Sequence, residues 1–176
     1  DRATLVGHSM GTPVIRQFYR KYPNKTLALV IVDGSLRGLG SREQMKQFLD
    51  PLRGPNYKEQ AERMVSFMVQ PVKEKKTQEE IKAAMTSAPQ HVMVGAFDAM
   101  LDEEIWKQDK INAPTLAVMA KQPQWNAEYE KFVHELVPGI DYQMWEGVSH
   151  FLMMDEPQKF NDTVLAFLKK NKLIKN

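Results

Sequence analysis

Apolar residues along this chain gather in four short runs, separated by longer stretches in which they recur every three or four positions. The runs at residues 3–7, 27–32, 115–120 and 141–146 are strand-like and bounded by turn-forming residues. Helical spacing occupies residues 12–19 and 126–136. A last amphipathic helix follows Asp155-Glu156-Pro157, with Phe160, Val164, Phe167 and Leu168 on one face. This alternation predicts an α/β fold with a mostly parallel sheet flanked by helices.

Residues 35–110 break the alternation, since no convincing strand lies there. The spacing predicts four short helices instead. Ser41-Arg42-Glu43-Gln44 and Thr77-Gln78-Glu79-Glu80 both have the capping-box form that opens a helix. Pro51 and Pro71 interrupt the pattern, while Ala61, Met64, Val65 and Met68 recur at helical spacing. The organisation expected is a core of residues 1–34 and 111–176 with a helical insertion at 35–110.

The densest chemical signal follows the first strand: Gly7-His8-Ser9-Met10-Gly11. A strand, Gly-x-Ser-x-Gly and then a helix is the sequence form of a nucleophile elbow. A serine hydroxyl attacks only if it stands clear of the backbone beside a base, with donors ready for the oxyanion. A tight strand-to-helix turn meets these needs but strains Ser9 and crowds its neighbours, which accounts for Gly7 and Gly11. The Met10 N–H, at the start of the next helix, is then a candidate oxyanion donor. The plainer reading of the motif is a glycine-rich turn bearing a surface serine.

A base is expected later in the chain. Gly147-Val148-Ser149-His150-Phe151 lies on a loop between the last strand and the last helix, which makes His150 the candidate general base. His8 sits inside the elbow, and His91 and His134 fall in helical patterns.

With these pieces in place, the chain resembles the C-terminal part of an α/β-hydrolase, from the elbow to the end. The resemblance rests on the elbow, the strand Leu27-Ala28-Leu29-Val30-Ile31-Val32-Asp33, the segment Ala113-Pro114-Thr115-Leu116-Ala117-Val118, and the His150 loop. It implies Ser9 as nucleophile, His150 as base and Met10 N–H as one oxyanion donor. It also implies a helical cap formed by the insertion, seated over Ser9. Most members carry the triad acid after the strand matching residues 115–120, but here Lys121-Gln122-Pro123-Gln124-Trp125 follows it. Other members place the acid one strand earlier, where Asp33 stands; Asp33 followed by Gly34 and Ser35 also reads as a turn former. Glu128, inside a helical pattern, is the weaker alternative.

The resemblance further implies strands and a first oxyanion loop ahead of the elbow strand. The chain is therefore expected to lack the N-terminal strands of the fold and to need such a segment for activity. The activity implied is that of a serine hydrolase acting on a small apolar ester or related acyl compound, with no cofactor and no metal. A serine at the elbow argues against the epoxide-hydrolase and haloalkane-dehalogenase branches, which use an aspartate. His8, Met64, Met68, Phe97 and Trp125 are the expected substrate-lining residues, with packing as the plainer role for the methionines and aromatics. The rival readings are a catalytically weak or inactive hydrolase-like protein that binds a small ligand, and a fragment inactive by itself.

Composition narrows the remainder. A hydrophobic content of 43% and a charged content of 26% suit a globular chain with a core. A net charge of +2 with scattered lysines gives no basis for nucleic-acid binding. The lysine cluster at 73–76 reads as a solvated loop, and the lysines of 169–175 as a frayed terminus. No run approaches the roughly 20 apolar residues of a membrane-spanning helix. Without cysteine, disulfides and thiolate metal sites are excluded.

Overall fold

The structure, a computed structural model, describes residues 1–38 and 40–174. Four strands, β1 (Ala3–His8), β2 (Thr26–Val32), β3 (Thr115–Ala120) and β4 (Asp141–Trp145), lie side by side in chain order, all parallel. The register places Val30 of β2 between Val6 of β1 and Leu116 of β3. Parallel neighbours need a crossover between them, supplied here by α1 (Gly11–Lys21) and α6 (Ala127–Leu136) for the outer pairs.

Both faces of the sheet are covered. Alternate residues Leu29, Ile31, Ala117 and Met119 face one core with Ile15 of α1 and Tyr129, Val133 and Leu136 of α6. The intervening Ala28, Val30, Val32, Leu116 and Val118 face a second core, against Leu152 of α7 (Leu152–Asp155) and Phe167 of α8 (Pro157–Lys170). Phe160, Val164 and Leu168 pack on this second core, so the face read from the α8 sequence is its buried face. Each fully buried Val, Leu or Ile contributes roughly 1.5–3 kcal/mol relative to exposure, and these two layers hold the strand ends in place.

The chain divides into two compact units: residues 1–36 with 108 onward, and Arg37–Lys107. The second unit is helical: α2 (Arg42–Leu49), α3 (Tyr57–Val69), α4 (Lys75–Thr86) and α5 (Gln90–Ala99). Its core joins Leu49, Leu52, Tyr57, Ala61 and Met93. Ser41 caps α2 with a full capping box, its hydroxyl accepting from Gln44 N–H while the Gln44 side chain accepts from Ser41 N–H. Thr77 does not cap a helix. The helix α4 begins two residues earlier, at Lys75, with Glu74 as its cap residue, so part of the lysine cluster is helical rather than loop. At the other end α8 continues through Lys169 and Lys170; Lys175 lies outside the described residues.

The first unit ties down the two points where the chain departs and returns. Arg16 of α1 is 1% exposed, and its guanidinium donates to the Leu36 carbonyl at 2.7 Å and to Asp109 Oδ1 at 3.3 Å. Arg20, one turn on, also donates to the Asp109 carboxylate. Burial, followed by the charge of Arg20, lowers Arg16 from the usual guanidinium value to about 10, so it is still charged at neutral pH. Replacing Arg16 by Met keeps the aliphatic stem and leaves the Leu36 carbonyl without this donor. We expect Arg16→Met to lose about 2 kcal/mol of unfolding free energy, the scale of a charge-assisted hydrogen bond. Urea denaturation checks it, and an unchanged midpoint would mean that the pair contributes nothing net.

Candidate active site

β1 ends at His8, and the next residue takes a backbone conformation that side chains rarely adopt: Ser9 has φ 52°. Two hydrogen bonds hold it there. Ser9 N–H donates to the Val32 carbonyl at 2.9 Å, and the Ser9 carbonyl accepts from Thr12 N–H at 3.0 Å as α1 begins. A Cβ on Gly7 would lie 2.6 Å from the Gly11 carbonyl oxygen, so the turn closes only if Gly7 is glycine. Gly11 differs from the expectation, because a Cβ there would meet open space. What the turn requires of Gly11 is its backbone, which packs against Gly7.

A third glycine shapes the elbow and was not singled out by the sequence motif. A Cβ on Gly34 would stand 1.9 Å from Thr12 Oγ1 and 2.8 Å from the Ser9 carbonyl oxygen. Gly34 is thus where the end of β2 passes against the serine turn. In sequence it reads only as part of Asp-Gly-Ser, a turn signal.

Asp33, just after β2, also has positive φ, at 42°. Its N–H donates to the Val118 carbonyl at 2.8 Å, which extends the β2–β3 ladder and fixes the strained residue. The carboxylate is 1% exposed and has a partner for each oxygen. Oδ1 accepts from Ala120 N–H at 2.9 Å and from the Trp125 indole N–H at 2.8 Å. Oδ2 lies 2.6 Å from His150 Nδ1. With the carboxylate accepting at Nδ1, the neutral His150 ring keeps its lone pair on Nε2, the nitrogen a general base uses. Glu128, the alternative acid, is on the exposed first turn of α6.

The His150 loop is braced on both sides. Ser149 N–H donates to Asp155 Oδ2 at 2.6 Å, and Phe151 N–H to Ser149 Oγ at 3.0 Å. His8 Nε2 lies 2.8 Å from the His150 carbonyl oxygen, and the two rings are 4.6 Å apart. Burial foremost, and then the His150 charge, lower the His8 pKa below its ordinary value. Met10 is the cap residue of α1 with helical dihedrals. Its N–H belongs to the helix-end donors that no preceding turn satisfies, where negative charge is favoured.

The expected substrate-lining residues fall in different places. His8 is half-buried against His150 and Phe151. Trp125 is 7% exposed, its ring tilted against Tyr129 at 4.7 Å between centroids, and gives its polar edge to Asp33. Tyr129 in turn accepts the Leu36 N–H at 3.0 Å, so this one aromatic pair steadies the segment from Asp33 to Leu36. Met64 and Phe97 pack on the core of the helical unit, and Met68 is half-buried on α3. Among the described residues no group of His, Asp and Glu is placed to hold a metal ion, and no helix is long and apolar enough to cross a membrane.

No family model and no curated protein matches the chain. Solved structures do. A thermophilic esterase matches at 25% identity and TM-score 0.73, over 97% of this chain and 67% of its own. An esterase from Exiguobacterium antarcticum matches at 17% identity and TM-score 0.77, over 94% and 66%. A bromoperoxidase from Bacillus anthracis matches at 18% identity and TM-score 0.77, over 94% and 67%. The chain thus spans about two thirds of the length of the solved chains it resembles. Its parallel sheet, helical flanks and structural neighbours together identify the fold as the C-terminal portion of an α/β-hydrolase fold.

Proposed function

We propose that this chain carries the reacting groups of a serine hydrolase that cleaves small apolar carboxylic esters. The observation that carries the reading is the 2.6 Å contact between Asp33 Oδ2 and His150 Nδ1, with Ser9 strained at the neighbouring strand end. In this mechanism Ser9 Oγ attacks the ester carbonyl and His150 Nε2 takes its proton. Asp33 stabilises the imidazolium that forms, and the Met10 N–H donates to the oxyanion. His150 passes the proton to the departing alkoxide, leaving an acyl group on Ser9. Water then gives a proton to His150 as it attacks the acyl carbon, and His150 returns that proton to Ser9 Oγ as the bond to the acyl group breaks and the acid is released.

Ester as the substrate class is supported by the esterases among the structural neighbours. The apolar preference is inferred from the methionine- and phenylalanine-rich composition of residues 37–107. The rival reading as a ligand-binding protein drew on the lack of a carboxylate after β3. The Asp33 contact takes that support away.

Intact-mass analysis after treatment with a fluorophosphonate probe tests the nucleophile. On a protein that includes the strands expected ahead of β1, we expect one adduct per chain, absent in Ser9→Ala; if that protein folds and takes up no probe, the assignment is overturned. Asp33→Asn should cut kcat on a p-nitrophenyl ester by about 10³ to 10⁴, the scale of losing the imidazolium partner and the correct tautomer. A variant within threefold of wild type would remove Asp33 from the mechanism.

Trp125→Phe keeps an aromatic ring but removes the indole N–H together with the rest of the five-membered ring. Because Ala120 N–H still holds Asp33 Oδ1, the expected effect is about a tenfold fall in kcat with little change in KM. Equal kcat in the two proteins would show that Ala120 is sufficient to orient the acid.

A further inference from the structure

We propose that His8 is a positioning residue that latches the base to the nucleophile strand, its imidazole Nε2–H donating to the backbone carbonyl of His150. The proposal rests on the hydrolase reading, with Ser9 and His150 in the roles given above. Its geometric basis is the 2.8 Å contact between side chain and carbonyl across 142 residues of sequence. A carbonyl only accepts, so the proton of that bond resides on His8 Nε2. The ring is further confined by His150 at 4.6 Å and Phe151 at 5.4 Å between centroids.

The position gives the bond its consequence. His8 is the last residue of β1 and the immediate neighbour of Ser9, so one strand end both presents the serine and grips the base. The Ser149 and Phe151 bonds are internal to the segment 149–155 and travel with it. The His8 bond instead joins that segment to the elbow, as the Asp33 contact joins it to the end of β2. Two anchors from adjacent strands fix both the backbone and the ring of His150. Catalysis by a general base falls steeply when its nitrogen drifts by an ångström, and this second anchor limits such drift.

A latch beside the base must not take the base's proton. Two titratable groups face His8, His150 and Asp33. Burial and the charge of His150 oppose protonation of His8, and they outweigh the opposite pulls of the backbone bond and of Asp33. His8 therefore stays neutral when His150 becomes an imidazolium, and it holds the same hydrogen bond in both states. This is a different task from lining the substrate site.

The test compares His8→Leu, which deletes the donor, with His8→Gln, whose amide offers an N–H at similar reach. We expect His8→Leu to lower kcat by about tenfold to a hundredfold with KM nearly unchanged, and His8→Gln to recover most of it. The downfield proton NMR signal of His150 Nδ1–H, read without turnover, should broaden by faster exchange in His8→Leu and sharpen again in His8→Gln. Thermal melts of both variants separate this from a loss of fold. Equal impairment of the two folded variants, or wild-type kcat in His8→Leu, overturns the latch. If the NMR response follows the donor while Ser9 takes up no probe, the latch stands and the hydrolase reading falls. A titration adds a sign: with the folded pKa depressed below 6.5, the native state loses stability as pH drops from 6.5 toward the folded value. That part of the acid-side loss should be missing in His8→Gln.

Discussion

A charged carboxylate taken out of water must be given donors for its oxygens, and the end of this sheet is arranged around one. Asp33 is 1% exposed, and its three partners come from three separate segments: the last residue of β3, the turn before α6, and the loop after β4. An unpaired carboxylate in that setting would cost several kcal/mol. Satisfying it therefore fixes three chain segments against the end of β2. In open parallel sheets the carboxyl ends of the strands form the crevice where ligands bind. The burial that demands these donors is also what brings His150 to that crevice.

The second constraint is strain carried in parallel at two strand ends. Ser9 and Asp33 both have positive φ, and each is held by a ladder bond to the next strand, Ser9 N–H to Val32 and Asp33 N–H to Val118. Conformations of this kind cost of order 1–3 kcal/mol each and persist where the surroundings leave no alternative. Gly34, packed against Thr12 and the Ser9 carbonyl, couples the two turns sterically. Moving one turn would drive a backbone into the other. The close approach of backbone to backbone, with the Thr12 side chain filling the gap, leaves the two turns little room.

How much of this was legible in the sequence follows the range of each interaction. The strands and the apolar face of α8 are set by neighbours three to four residues away or by alternation, and they read directly. The Ser41 cap reads for the same reason, whereas Thr77 fails because Glu74 and two lysines ahead of it already start the helix. Gly34 and Trp125 depend on partners 22 and 92 positions away, Thr12 and Asp33, and no local pattern encodes them. Trp125 in particular carries the signature of a core or pocket aromatic. Only the unusual absence of a carboxylate in the turn after β3 hinted that something else occupied that place.

That absence has a physical counterpart. The Lys121 N–H donates to the Trp145 carbonyl at 2.8 Å, so the β3–β4 ladder runs one residue past the strand, and the Lys121 side chain pairs with Glu146 outside. The turn that follows sends an indole N–H inward instead of a carboxylate. β2 thus supplies the carboxylate, and the end of β3 with the turn after it supplies the hydrogen bonds that orient it. A carboxylate is recognised by the geometry of its two oxygens. A buried carboxylate can hold an imidazole in this way provided one oxygen reaches the ring and the neighbouring strand end turns into a donor for the other. Here Oδ2 meets His150 and Oδ1 meets Ala120 and Trp125, so both conditions are satisfied by the strands on which the chain actually places them.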